Sequence, residues 1–187
     1  MAEMVPLDRL KTYLEIAATD TGQDVLLQDL NKRLSAWVEQ YCDRRFAKAT
    51  YTEQQDGDGT DVVVVTHWPM ISVASLYDDP DRVFGAGTLI AASDYVIYKD
   101  EGRIQLDGLT FSRGLQNVKV TYDAGYAEIP PDLQQAVCEL IADRFRNKEH
   151  QGLRSLSIGA YSVGFTEAEL PEEVRAILDS YRRIRVA

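Results

Sequence analysis

Apolar residues change their spacing twice along this chain, and those two changes limit what it can fold into. Leu7, Leu10, Leu14 and Ala17 recur at helical spacing after Pro6, and Leu27, Leu30, Leu34, Trp37, Val38 and Tyr41 repeat the pattern more strongly after Thr21-Gly22. From Thr50 to Tyr122 the period falls to two. Thr50–Gln54, Asp61–Thr66, Ile71–Tyr77, Tyr95–Tyr98, Arg103–Leu106 and Val118–Tyr122 read as short strands divided by Asp, Gly and Pro turns. Helical spacing then returns: Leu133, Ala136, Val137, Leu140, Ile141 and Phe145 form one stripe, and Val174, Ile177, Leu178, Tyr181 and Ile184 another. The predicted fold is α+β. A four-helix core, with helices near 7–18, 24–43, 131–149 and 171–184, is built from residues 1–46 and 128–187, and residues 47–127 form an inserted small antiparallel β domain.

Local signals agree with that division. Asp24 precedes the second apolar run as an N-cap, and Arg44 and Arg45 follow its end, where positive charge suits the helix dipole. Gly125, in Ala124-Gly125-Tyr126, supplies the backbone freedom to leave the sheet. Pro131 then suits a first helical turn, where its missing N–H costs nothing.

A chain of 187 residues buries enough surface to fold without staples. Cys42 and Cys138 lie far apart, outside any metal-ligand spacing, and read as buried free thiols in a reducing compartment. The longest aliphatic run, Val62 to Val65, is far short of a membrane span, and the acid-bearing first 20 residues do not read as a signal peptide. A soluble protein made in the cytosol, with no membrane partner, is expected. Net charge is −10, of which −6 falls in residues 47–127 and −2 in each flanking part. Such an acidic middle repels phosphate, which argues against specific nucleic-acid binding there; a well-solvated surface is the simpler reading, and a surface that faces DNA without sticking is the functional one.

The signatures of catalysis are missing. Ser162 in Gly159-Ala160-Tyr161-Ser162-Val163-Gly164 has Ala160 where a nucleophile elbow needs glycine. No phosphate-binding glycine loop is present, and His67 and His150 share no ligand spacing. Asp56-Gly57-Asp58-Gly59-Thr60-Asp61 starts like a calcium loop, yet His67 stands at the twelfth position where a bidentate glutamate belongs, so a hairpin turn is expected. Asp78-Asp79-Pro80-Asp81 also reads as a turn. Neither an enzyme, a cofactor nor a metal site is expected.

Between the last two helices, Arg154 to Phe165 is too polar and glycine-broken for a helix, yet carries Ile158, Tyr161, Val163 and Phe165. It reads as a binding segment or as a strand folded back on its own domain. The stretch Arg182-Arg183-Ile184-Arg185-Val186-Ala187 gathers three arginines in an acidic chain, which suits carboxylate or phosphate partners or simply a helix C-terminus.

The order of several short motifs resembles the head-tail connector (adaptor, head-completion) proteins of tailed bacteriophages, in a long form with a β insertion. The motifs are Leu7-x-x-Leu10-Lys11-x-x-Leu14, Asp24-x-x-Leu27, Val38-Glu39, Arg45-Phe46, Trp68-Pro69-Met70-Ile71-Ser72-Val73 and Tyr122-x-Ala124-Gly125-Tyr126 before Pro130. Gln135-Ala136, Ile158-Gly159-x-Tyr161-Ser162-Val163, Leu170-Pro171 and Leu178-x-x-Tyr181-Arg182 continue the series. The resemblance implies a structural virion protein, synthesised in the host bacterial cytoplasm and placed at the head-tail junction. Its subunits would form a closed homo-oligomeric ring, of about twelve copies in that family, and would be monomeric when isolated. The ring would sit below the portal protein, meet tail or stopper proteins, and let double-stranded DNA pass without specific binding. Contact residues would be Ile158, Tyr161, Val163, Phe165, Arg182, Arg183 and Arg185. Two rivals stand beside it: a tail-completion or terminator protein of the same virion, which would be dominated by β structure, and a small enzyme of unrecognised type.

Overall fold

The computed structural model describes residues 3–146 and 170–182. They divide into two compact units, one from residues up to Arg44 together with those from Glu128 onward, the other from Arg45 to Ala127.

Among the described residues the first unit holds four α-helices: α1 Leu7–Tyr13, α2 Asp24–Tyr41, α3 Pro131–Arg146 and α4 Glu172–Tyr181. Helix α2 packs on α3, α3 on α4, and α1 on both α2 and α3. The stripes read from the sequence supply the core: Leu10, Leu27, Leu34, Val38, Leu133, Ala136, Val137, Leu140, Ile141, Val174 and Leu178 are all buried. Helix α1 is shorter than the predicted 7–18. Glu15 adopts φ 59, its N–H bonds to the carbonyl of Thr12, and that of Ile16 reaches back to Lys11. This is a Schellman stop made without glycine, which is why the apolar spacing alone overran it. Ala17, expected on the buried face, is exposed. Asp43 ends α2 in the same way, with φ 51 and the Arg44 N–H on the Glu39 carbonyl.

Asp24 is also corrected. It is the first helical residue of α2 rather than its N-cap, and its carboxylate lies 2.6 Å from Lys11 Nζ. The lysine is buried, so this pair, completed by the Ala18 carbonyl at 3.2 Å, is what permits a cation inside α1. Arg44, which follows the end of α2, reaches across with Nη1 to donate to the Tyr181 carbonyl at the end of α4.

The second unit contains six strands: β1 Ala49–Gly57, β2 Val62–Val64, β3 Met70–Asp78, β4 Tyr95–Tyr98, β5 Arg103–Leu106 and β6 Gly114–Ala124. They form two antiparallel sheets, ordered β1-β6-β3 and β2-β5-β4. Their inner faces share one core of Val63, Val65, Met70, Leu76, Ile104, Leu106, Phe111, Val118, Val120, Tyr122 and Ala124. The stretch Asp56–Asp61 is therefore not a hairpin. It hands the chain from one sheet to the other, because β1 pairs with β6 and β2 with β5.

A carboxylate sits on the inward face of β1. Glu53 accepts the hydroxyls of Tyr122 and Thr66 and the Thr66 N–H, so its charge is ringed by donors. Burial first, and then the Glu53 contact, push the Tyr122 phenol well above its ordinary pKa, so it stays a proton donor. Asn117, buried at the start of β6, accepts the Gly57 N–H and donates to Asp78 and to the Ser112 carbonyl.

The entry and exit of this unit are held together. Lys48 N–H donates to the Tyr126 carbonyl, Tyr126 N–H to the Phe46 carbonyl, and Gly125 N–H to the Pro69 carbonyl. Gly125 has φ 106, and a Cβ there would stand 2.6 Å from the Ala47 oxygen. Both the left-handed backbone and the close approach require glycine. Gly125→Ala is expected to destabilise the protein by about 1–3 kcal/mol, read as a lower denaturation midpoint in urea with an unchanged slope; an unchanged midpoint would show that the clamp is dispensable.

Candidate assembly interface

Of the seven predicted contact residues, only Arg182 lies among the described residues; Ile158, Tyr161, Val163, Phe165, Arg183 and Arg185 lie outside them. The predicted set of seven is thus seen at one residue. Arg182 follows the last turn of α4, is exposed, and holds its guanidinium 5.3 Å from the centre of the Tyr41 ring. Around it, Tyr41 donates to Asp179 at 2.8 Å, Tyr181 donates to Asp132 at 2.9 Å, and the ring of Trp37 lies 5.4 Å from that of Tyr41. Side chains of three helices thereby surround Arg182, the last described residue. Cys42 is buried against the Leu178 carbonyl, and burial pushes its thiol up to about 12; burial likewise raises Cys138. Neither offers a thiolate at neutral pH.

The helical unit also carries a groove of about 470 Å³, lined by Glu3, Met4, Val5, Pro6, Glu128, Ile129 and Gln134. One wall is residues 3–6, stapled to α2: Asn31 donates to the Val5 carbonyl at 2.6 Å, and Ser35 accepts the Met4 N–H at 3.1 Å. The other is the entry to α3, where Gln134 donates to the Ile129 carbonyl and accepts from Arg9.

In the β unit the two sheets differ on their outer faces. That of β1-β6-β3 is polar, with Thr50 on Asp123 and Thr52 on Thr121. That of β2-β5-β4 carries Val64 and Val96, 56% and 53% exposed, beside Tyr98. Arg103 pairs in register with Val64 on one side and Tyr98 on the other, its guanidinium 3.6 Å over the Tyr98 ring and its Nε on Glu101 at 2.9 Å. Arginine and tyrosine among exposed valines are a composition enriched where proteins meet. The sequence reading missed this patch. Its signal was the failure of alternation in Val62–Val65 and Tyr95–Tyr98, which marks strands apolar on both faces.

The acidic turns spend their carboxylates locally. Asp58 accepts the Thr60 N–H and hydroxyl, Asp56 the Gln116 N–H, and Asp61 the Gln105 amide, so they do not converge on one centre. Among the described residues no group of three or more His, Cys, Asp or Glu could hold a metal ion. Asp79 is the most engaged, accepting the N–H groups of Asp81, Val83 and Phe84 and the Thr88 hydroxyl. Desolvation acts to raise its carboxyl, but these donors together outweigh it and hold the pKa below the ordinary carboxylate value. A depressed folded-state pKa stabilises the protein above the unfolded value of about 4, and that contribution is lost as pH falls through the folded value. Asp79→Asn is therefore expected to lower the melting temperature at pH 7, with the gap to the parent closing progressively below about pH 4. A gap independent of pH would mean that the carboxylate's charge is immaterial to the loop.

The family described as Head completion protein matches residues 3–184. A curated relative, the Head completion protein of Escherichia phage T5, is 24% identical over 102 residues, covering 52% of this chain and 59% of that protein. The match thus spans under two-thirds of that relative. Among solved structures, a chain from the neck of an empty GTA particle computed with C6 symmetry has a TM-score of 0.64 at 20% identity, covering 100% of this chain and 95% of that one. A chain from the virion of a native gene transfer agent particle gives 0.62 at 20% identity, with 98% and 92% covered. One from the neck of a native GTA particle computed with C12 symmetry gives 0.58 at 20% identity, with 100% and 94% covered. At that identity the likeness speaks for the fold.

Proposed function

This chain belongs to the head completion protein family, and from that premise we propose that it is a structural virion subunit. It forms a ring at the head-tail junction, below the portal, that extends the DNA channel and presents a platform to tail or stopper proteins. The observation that carries this is the family match over residues 3–184, which takes in both the helical and the β parts of the chain. The fold's likeness to chains from particle necks computed with C6 and C12 symmetry supports a ring, for which about twelve copies is the proposed number. The helical unit serves as the connector core and residues 47–127 as its insertion.

The physical chemistry is in keeping with a channel wall. Six of the ten net negative charges lie in residues 47–127, and such a surface repels phosphate and lets a duplex slide. A purely structural role needs no catalytic constellation, and the carboxylates of the acidic turns are occupied by local donors. No helix among the described residues is long and apolar enough to cross a membrane. Four helices also weigh against the rival tail-terminator reading, which expects a chain dominated by β structure.

Ile158, Tyr161, Val163 and Phe165, with Arg182, Arg183 and Arg185, are the proposed contact elements toward the next subunit or the portal. Ordering such segments costs entropy, so the isolated protein is expected to be monomeric and to assemble on the portal template. The test uses DNA-filled, tailless heads completed by purified protein, with tail attachment scored by electron microscopy. The parent should restore attachment. The Tyr161→Ala/Phe165→Ala double variant, and a chain lacking residues 183–187, should keep the parent's melting temperature yet block attachment. Variants that unfold the monomer while the surviving fraction still completes heads would place these residues in the core. A parent protein that does not bind filled heads would overturn the function itself.

A further inference from the structure

The groove lined by residues 3–6 and 128–134 has two glutamates as its only charged lining residues, Glu3 and Glu128, beside an apolar surface from Met4, Val5, Pro6 and Ile129. Glu128 is exposed and makes no hydrogen bond or ion pair among the described residues. Glu3 has only long contacts, to Lys32 at 3.7 Å and to the Asn31 amide at 3.5 Å. The nearby cation Arg9 is committed to Gln134. Such a groove matches a short extended segment that alternates cations with aliphatic side chains, since successive residues of an extended chain point to opposite sides.

This chain carries one such segment, Arg183-Ile184-Arg185-Val186-Ala187, immediately after the point that Arg182 and α4 fix in space. We propose that the groove of each copy receives residues 183–187 of a neighbouring copy. Arg183 and Arg185 face Glu3 and Glu128, and Ile184 and Val186 lie on the apolar side. A neighbouring copy, rather than the same one, is favoured by charge: copies of net charge −10 repel one another, so their contact needs a local meeting of opposite signs. A closed ring also needs two different, complementary surfaces on every copy, and a basic tail with an acidic groove is such a pair.

This pairing rests on the ring proposed above, so its test separates the two. Full-length chain carrying a photo-crosslinking residue at Val186 is mixed in equal parts with ¹⁵N-labelled full-length chain, assembled on filled heads, irradiated and mapped by mass spectrometry. Cross-links joining labelled to unlabelled chain at residues 3–6 or 128–134 are expected. Cross-links confined to one chain, cross-links elsewhere, or none in completed particles would each overturn the pairing while leaving the ring intact; heads that acquire no protein would instead count against the ring. Charge exchange gives a second reading. Glu128→Lys and Arg185→Glu should each lower the inter-chain yield by about tenfold, and the double variant should restore most of it. All three should melt with the parent. A double variant no better than either single one would refute the contact.

Discussion

The fold depends on closing a loop of about eighty residues at one place. Backbone bonds among Phe46, Lys48, Pro69, Gly125 and Tyr126 bring the two ends of the β unit side by side, and a parallel bridge joins Ala47 to Tyr126. From there β1 and β6 run antiparallel from the Ala49–Ala124 pair onward, so the last strand made becomes the centre of its sheet. Loop-closure entropy grows slowly with length, by about 0.6 kcal/mol for each doubling, so what lies between the ends can be large provided that the ends meet. Gly125 is where sterics make that meeting possible. The Gly125-Tyr126 turn thus sets the change of direction that ends the sheet.

Within each unit, polar groups inside the fold are spent on holding segments in place. Asn31 and Ser35 pin residues 3–6 to α2, Asn117 ties three chain segments together, and Glu53 collects the donors of Tyr122 and Thr66. Each is costly to bury alone and stable only with its partners, which makes the backbone positions they join specific. The same economy empties the acidic turns of free ligands. A chain that looks rich in carboxylates therefore presents no metal cluster among its described residues.

Net charge sets the terms for assembly. Copies that share a net charge of −10 meet most readily where cations or apolar side chains reach the surface, and two such places are Arg182 at the end of α4 and Arg103 stacked on Tyr98 beside exposed Val64. Under the ring proposed for this member of the head completion protein family, both places would be candidates for contact between copies.

The α+β class, the four helices, the six strands and most of the buried stripe were legible in the sequence, because period 3.6 and period 2 are direct consequences of which side chains can share a face. The family was legible in the order of its short motifs. Helix ends were less so: α1 stops at Tyr13 through a left-handed Glu15, a conformation that residue type does not announce. Strand pairing was not legible. The turn at Asp56–Asp61 has hairpin chemistry but joins two sheets, since a partner is chosen by the whole core and not by the turn. Of the proposed contact residues, Arg182 alone has a place in the described structure, while the groove and the valine face emerged only there. A groove joins residues 3–6 to residues 128–134, and a pair such as Lys11–Asp24 neutralises a buried charge. Sequence alone determined which residues prefer a core; only the tertiary structure decided which of them meet, because proximity across more than a hundred residues is set by packing rather than by pattern.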